Sequence, residues 1–387
     1  MYRTSGKFFL IPILIWFVYG CTPLSSVSKT AQPERSNFTL KLLDVYTIPY
    51  NYKFKETIVG GLSGIDYDKK SQKYYIISDE RSATSPSRFY TANINISNNK
   101  IANVEFLSVH SLTNSKEKTF PPLKEDPVNA ADPESIRYNP IKKNLVWTDE
   151  GDKANRNGAF VLRNPSIYEM DLQGNYTDSF ALPRNMLMKA GDEGPRTNGV
   201  FEGSTFDEGY QHLYVSLEEP LFEDGPRADV DYPNAPIRIT KFDVKTRKPV
   251  AQYAYLLDAV ARLPFPRDAF RVNGVSEILW LDDGRLLVME RSYSTGSLKC
   301  AVKVYVADLK NASDVSLIAS LKDTSLFTPA LKKLVLNIDN LNTHIDNVEG
   351  ITFGPRLPNG NQSLIFIADN NFQMLQKQQV LLFEITP

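Results

Sequence analysis

The 387-residue chain has two cysteines, Cys21 and Cys300, and three histidines. Two cysteines cannot build the disulfide framework that holds small secreted domains together. The histidines, His110, His212 and His344, fall at unrelated places, so a His-based metal site or a Ser-His-Asp triad is unsupported, and no G-x-S-x-G elbow occurs. Neither sign of charge is in excess: 44 Lys and Arg stand against 45 Asp and Glu. That balance excludes the cationic footprint of a nucleic-acid binder. No P-loop or dinucleotide fingerprint is present. What the chain does have is 21 Phe, 19 Tyr, 24 Pro and 20 Gly, a composition suited to many short strands joined by turns.

The N-terminus reads as an address. Arg3 and Lys7 precede Phe8–Tyr19, a 12-residue apolar run that is shorter than the roughly 20 residues of a membrane-spanning helix. It ends in Val18-Tyr19-Gly20-Cys21, which is similar to a bacterial lipoprotein cleavage box with Cys21 as the lipidated residue; an ordinary signal peptide is the alternative. Removing residues 1–20 leaves a formal charge of −3, and lipid on Cys21 would leave Cys300 without a disulfide partner. Residues 21–37 are rich in Ser, Pro and polar side chains and read as a flexible tether, with the body at 38–387. The expected protein is exported to the cell envelope, touching the membrane only through its lipid.

Five segments repeat one pattern of apolar run, turn, β-rich run and acidic residue. Aligning Ser63, Glu134, Glu202, Glu277 and Glu349 gives spacings of 71, 68, 75 and 72. A period near 70 suits a four-stranded antiparallel blade. Third strands are expected at Ser87–Ile96, Ser166–Leu172, Ile237–Val244 and Ala301–Leu309. Fourth strands are expected at Val104–Ser111, Tyr176–Leu182, Val250–Leu257 and Val315–Leu321. The last repeat lacks a fourth strand, which Phe38–Ile48 can supply to close a ring. The expected fold is an all-β propeller of about five blades, with a sixth left open. Leu326–Leu341 reads either as a surface helix or as a packed connector.

With strands alternating outward from the axis, short turns fall on one face and the long segments 113–132, 183–200, 258–274 and 322–347 on the other. Elaborated loops on a rigid scaffold carry function. First-strand starts put Glu134, Glu202, Glu277 and Glu349 on that face, and second-strand ends add Asp79-Glu80, Asp149-Glu150, Glu218-Glu219, Glu290 and Asp369. Such carboxylates need partners. One candidate is Ca²⁺, a hard cation that takes six to eight oxygens. The others are the basic side chains Arg81, Arg88, Lys153, Arg156, Arg291 and Lys299 in the same loops. A repeated Glu-Gly can also simply cap backbone N–H groups and lock blades together. Ser63 occupies the Glu position of its repeat, and Cys300, in a β-rich run, reads as a packed small hydrophobe.

The motifs Val200-Phe-Glu-Gly-Ser with LYVSLEEPL221, Val275-Ser-Glu-Ile-Leu with RLLVMERSY293, Val348-Glu-Gly-Ile-Thr-Phe-Gly354 with IFIADNN371, and Gly61-Leu-Ser-Gly-Ile-Asp-Tyr67 with ISDER81 carry a likeness. From about residue 40 onward the chain resembles the bacterial "esterase-like activity of phytase" family. The resemblance implies an exported propeller that hydrolyses a small anionic ester, phosphoric or other, with Ca²⁺ assisting. The residue roles come from the shared face and not from the resemblance: Glu202 and Glu150 are expected as the water-activating bases. Asp79, Glu134, Asp149, Glu218, Glu277, Glu290, Glu349 and Asp369 are the metal ligands, and Arg81, Arg88, Arg291 and Lys299 hold the anion. A non-enzymatic propeller that binds a ligand or partner at the cell surface is the alternative.

Overall fold

Leu62–Asp68 and Lys73–Ser78 are joined by a tight turn and pair antiparallel, and most of their side chains are buried. A sheet covered on both faces needs such nearly continuous apolar runs, and here neighbouring sheets supply both covers. The structure, a computed structural model, describes residues 1–2, 38–156 and 158–386. The expected signal segment, tether and lipidated Cys21 therefore lie outside the described residues. No helix among the described residues is long and apolar enough to cross a membrane.

The described residues from 38 onward form one compact unit, a five-bladed β-propeller. Blade 1 continues from the pair above through Arg88–Ser97 to Lys100–Ser111. Blade 2 comprises Pro133–Asn139, Asn144–Asp149, Ser166–Met170 and Tyr176–Ser179. Blade 3 comprises Phe201–Phe206, His212–Leu217, Pro236–Asp243 and Lys248–Leu256. Blade 4 comprises Arg271–Asp282, Arg285–Ser294, Ala301–Asp308 and Leu331–Asn337. Blade 5 is built from Asn347–Arg356, Gln362–Asp369 and Gln378–Thr386, and Thr39–Ile48 pairs with the last of these from Thr39↔Thr386 to Ile48↔Gln378. The N-terminal strand thus closes the ring, which leaves no open end in the circle of sheets.

Turn chemistry explains the tight hairpins. Asn98 and Asn99 have φ of 52° and 59°, and Asp283 and Gly284 have φ of 30° and 81°. These left-handed pairs match the twist of the strands they join. The apolar core lies in layers between blades. Tyr75, Ile77 and Phe89 meet Ile136, Leu145 and Trp147 between blades 1 and 2, and Leu287, Met289 and Val304 meet Ile351, Leu364 and Phe366 between blades 4 and 5.

Two expectations are corrected in blade 4. Its fourth strand is Leu331–Asn337, inside the stretch read as a surface helix or connector. Val315 and Leu321 are buried against Ala254 and Phe327, and Val315 N–H donates to Gln252 O of blade 3. The Val315–Leu321 segment therefore covers the outer edge of blade 3, and the chain returns to its own blade only afterwards.

The innermost strands share an irregularity. Their ladder to the second strand slips between Leu62 and Gly64, Pro133 and Ile136, Phe201 and Ser204, Val275 and Glu277, and Val348 and Gly350. A bulge of this kind re-aims a side chain. Ser63, Glu134, Glu202, Ser276 and Glu349 occupy it, so the equivalent residue in blade 4 is Ser276 and Glu277 comes one later. The Glu-Gly pairing has its own reason. A Cβ at Gly203 would strike the Glu277–Ile278 backbone and one at Gly350 would strike Ser63 O, because inner strands approach closely around the axis.

Candidate functional site

Following the ladder one residue past the last shared rung identifies a second set of equivalent positions. Ser78, Asp149, Leu217, Glu290 and Ala368 face the strand starts Leu62, Pro133, Phe201, Val275 and Val348. The next residues are Asp79, Glu150, Glu218, Arg291 and Asp369. The mouth of the propeller is thus ringed by Ser63, Glu134, Glu202, Ser276 and Glu349, and by Asp79, Glu150, Glu218, Arg291 and Asp369. Four blades contribute carboxylates. Blade 4 contributes a serine and an arginine.

These residues surround a cavity of about 710 Å³. Asp79, Arg81, Glu134, Glu150, Glu202, Glu218, Arg291, Lys299 and Glu349 all line it. Asp369 lies just behind, fully buried, in a group with Asp79 and Glu349. The other expected site residues are placed elsewhere. Arg88 is buried in blade 1, paired with Glu80 and donating to Tyr90 Oη at 2.6 Å and Ile58 O at 2.9 Å. Asp149 pairs with Arg163 at 2.5 Å. Glu290 accepts from Lys332 Nζ at 2.6 Å and Tyr255 Oη at 2.7 Å between blades 3 and 4. Glu277 pairs with Arg137 Nη2 at 2.7 Å in the channel axis. A shift of one residue turns a strand side chain to the opposite face, which is why these three carboxylates leave the mouth.

Arg137 is the hub of the axis. Its guanidinium donates to Ser204 O of blade 3, Ile65 O of blade 1, Ile351 O of blade 5 and Ile278 O of blade 4. One side chain of blade 2 therefore ties all five blades and fills the axis below the cavity.

Around the cavity, carboxylates crowd into three groups. Oxygens from Asp79, Glu349 and Asp369 lie within 4.8 Å of one another, as do those from Asp132, Glu134 and Glu150, and those from Glu150, Glu202 and Glu218. Each group can coordinate a divalent cation through hard oxygen donors alone. Burial, reinforced by Glu218 and then Glu150, holds the Glu202 carboxyl well above its ordinary pKa. Glu150 is lifted by burial and then by Asp132 and Glu218, and Glu134 by burial and then by Glu202. Burial raises Asp369 to about 8 and Glu219 to about 8. Asp369 Oδ1 and Glu349 Oε2 are buried without a hydrogen-bond partner.

Basic side chains interrupt the ring. Arg291 pairs with Glu349 of blade 5 and, at 3.3 Å, with Glu218 of blade 3. Arg81 Nε donates to Asp132 Oδ1 at 2.6 Å, and Arg227 reaches Glu219 at 3.0 Å. Lys299 meets Asp339 at 3.1 Å on the rim. Cys300 Sγ donates to Asn347 Oδ1 at 3.3 Å, and burial pushes its thiol pKa up, away from reactivity. Asp132 and Arg227 were not singled out from the sequence. Asp132 stands two residues before Glu134, as Asn347 does before Glu349, and that shared offset was the available signal.

A family model described as "Phytase-like: Esterase-like activity of phytase" matches residues 57–372. The chain belongs to the Phytase-like family. At the level of the family this is an esterase-like hydrolase, and the match spans all five inner strands that build the mouth. No curated protein matches the chain. Among solved structures, this Phytase-like chain is similar to an endo-arabinase from Bacteroides thetaiotaomicron (14% identity, 88% of this chain and 98% of that one, TM-score 0.43). It is also similar to an alpha-L-arabinofuranosidase from Lactobacillus brevis (11% identity, 84% and 91%, TM-score 0.44). A third is the periplasmic gluconolactonase PpgL of Pseudomonas aeruginosa (9% identity, 90% and 99%, TM-score 0.37).

Proposed function

We propose that this protein is an exported, lipid-anchored hydrolase of phosphoric or other small anionic esters, acting at the propeller mouth with Ca²⁺. One observation carries the reading. Eight carboxylates and four basic side chains line the cavity, and behind it lie buried carboxylate oxygens of Asp369 and Glu349 with no partner. An anion would not enter so acidic a well unless cations reversed its field. The donor groups are all oxygen, which suits Ca²⁺ better than a metal that prefers nitrogen or sulfur. An ion would be held by Asp79, Glu349 and Asp369, or by Glu134 or Glu218 together with Glu150, which belongs to two of the three groups. Bound there, it would supply charge neutralisation and Lewis-acid polarisation of the ester oxygen.

The chain's own residues do the rest. Arg291 and Arg81 present guanidinium donors to the anionic group, and Lys299 adds a cation at the rim. Glu150 is fixed by the Val200 N–H at 2.8 Å. Glu202, whose affinity for a proton is raised by burial, would take one from an attacking water. The N-terminal apolar run and Cys21 box support export and anchoring. The test is turnover of phytate, phosphate monoesters and acetate esters by the purified protein, in Ca²⁺ and in chelator. Ca²⁺-dependent turnover is expected; background rates in every condition would overturn the reading.

A further inference from the structure

Blade 4 differs from the other four at the mouth in three ways. Ser276 and Arg291 stand where blades 2, 3 and 5 have two carboxylates and blade 1 has Ser63 and Asp79, so blade 4 alone brings none. Its nearest acids, Glu277 and Glu290, are withdrawn to Arg137 and Lys332. Its inner hairpin is also longer. In blades 1 to 3 the ladder ends at Leu62↔Ser78, Pro133↔Asp149 and Phe201↔Leu217. In blade 4 it runs on through Gly274↔Arg291, Asn273↔Ser292, Val272↔Tyr293 and Arg271↔Ser294. At roughly 3.3 Å per residue, those rungs raise a wall about 13 Å high beside the cavity.

The cavity face of that wall is apolar. Val272 and Tyr293 are cross-strand partners and share a face, and Phe270 lies two residues from Val272 on the same side. Phe270, Val272, Tyr293 and Leu298 all line the cavity. The Phe270 and Tyr293 rings lie 6.3 Å apart, and Phe270 is held in place because its carbonyl accepts both the N–H and the Oγ1–H of Thr295 at 2.9 Å. Yet Phe270 is 56% exposed and Leu298 98% exposed. A fixed, uncovered apolar wall with a guanidinium at its foot complements one chemistry, an anionic group joined to an apolar or aromatic one.

We propose that blade 4 is the substrate side of the mouth and sets specificity. Arg291 takes the anionic end of an amphipathic ester, and Phe270, Val272, Tyr293 and Leu298 take its aryl or alkyl group. This rests on the hydrolase reading and narrows its substrate class, since inositol hexakisphosphate has no apolar group to lay on the wall.

The test separates binding from turnover. With Ca²⁺ present, calorimetry would compare phenyl phosphate with inorganic phosphate on the full-length protein, on Phe270→Ala and on Leu298→Ser, two exposed positions whose truncation leaves the inter-blade layers intact. Phenyl phosphate is expected to bind about tenfold more tightly than phosphate, as the burial of one ring face implies. Phe270→Ala should remove most of that preference without changing phosphate affinity. Equal affinities in the unmodified protein, no binding of either anion, or an equal loss for both in Phe270→Ala would overturn the proposal. So would variants that lose only co-sedimentation with phosphatidylcholine vesicles, since the wall would then face a membrane. A preference for phenyl phosphate with no turnover of any ester would sustain the wall's role and overturn hydrolysis alone.

Discussion

Arg291 stands in the fourth blade where Glu218 stands in the third, and the two side chains meet at 3.3 Å. The repeat has placed opposite charges at equivalent positions, so a ring that would otherwise be wholly acidic carries its own counter-charge. Replacing Arg291 with Met would leave Glu218 and Glu349 facing each other unpaired. We expect a loss of about 2–4 kcal/mol in urea denaturation, with Arg291→Lys recovering part of it. An unchanged denaturation midpoint would show that the pairing is incidental.

Arg137 is the most connected side chain of the axis. Its loss would leave carbonyls of four blades without their donor and the Glu277 carboxylate without its counter-charge. Arg137→Met is expected to cost about 3–5 kcal/mol, the range for breaking a buried pair from one side. Arg137→Met with Glu277→Gln should cost less than the first change alone, because no charge is then stranded. Equilibrium denaturation of the single and double variants checks both statements.

Stability should fall as pH rises when divalent cations are absent. Burial lifts Glu277 to about 7 and Glu219 to about 8, against roughly 4.3 in an unfolded chain. A carboxyl whose pKa is raised by folding binds its proton more tightly in the folded state. The benefit is complete below about pH 4 and is lost as pH climbs through 7 and 8. The expected result is a melting temperature that declines from pH 5 to pH 9 in chelator. A rise over that range would contradict the burial described for these groups.

Divalent cations should reverse that decline. Ca²⁺ that binds only the folded protein stabilises it by about 2.7 kcal/mol at a hundredfold excess over its Kd. Asp369→Asn removes one charge from the group with Asp79 and Glu349, and should reduce the Ca²⁺-induced shift in melting temperature while raising the stability of the cation-free protein. Identical shifts in the two proteins would mean that Asp369 holds no ion.

The number of blades, the ring closure and the face on which the carboxylates gather were legible in the sequence because each repeat carries the same apolar pattern and the same turn spacing. What misled was a single residue. In Val275-Ser276-Glu277 the glutamate drew the alignment one step too far, whereas the bulge belongs to Ser276 and gives spacings of 71, 68, 74 and 73. Glu290 beside Arg291 repeated the same slip. Pattern alone does not report which of two adjacent acids faces the mouth, since the ladder register decides it. Leu331–Asn337 was hidden for a different reason: LKKLVLN offers apolar residues at both helical and strand spacings, and only pairing with Ala301–Asp308 selects the strand. Arg137 gave no signal, because its role comes from four carbonyls far apart in the chain.

The plugged axis has a kinetic corollary. With Arg137 filling the passage beneath it, the mouth is a well with one door, so whatever is released must leave by the route that the next molecule uses to enter. The acid and alcohol produced by cleavage would then compete with incoming ester for the same opening.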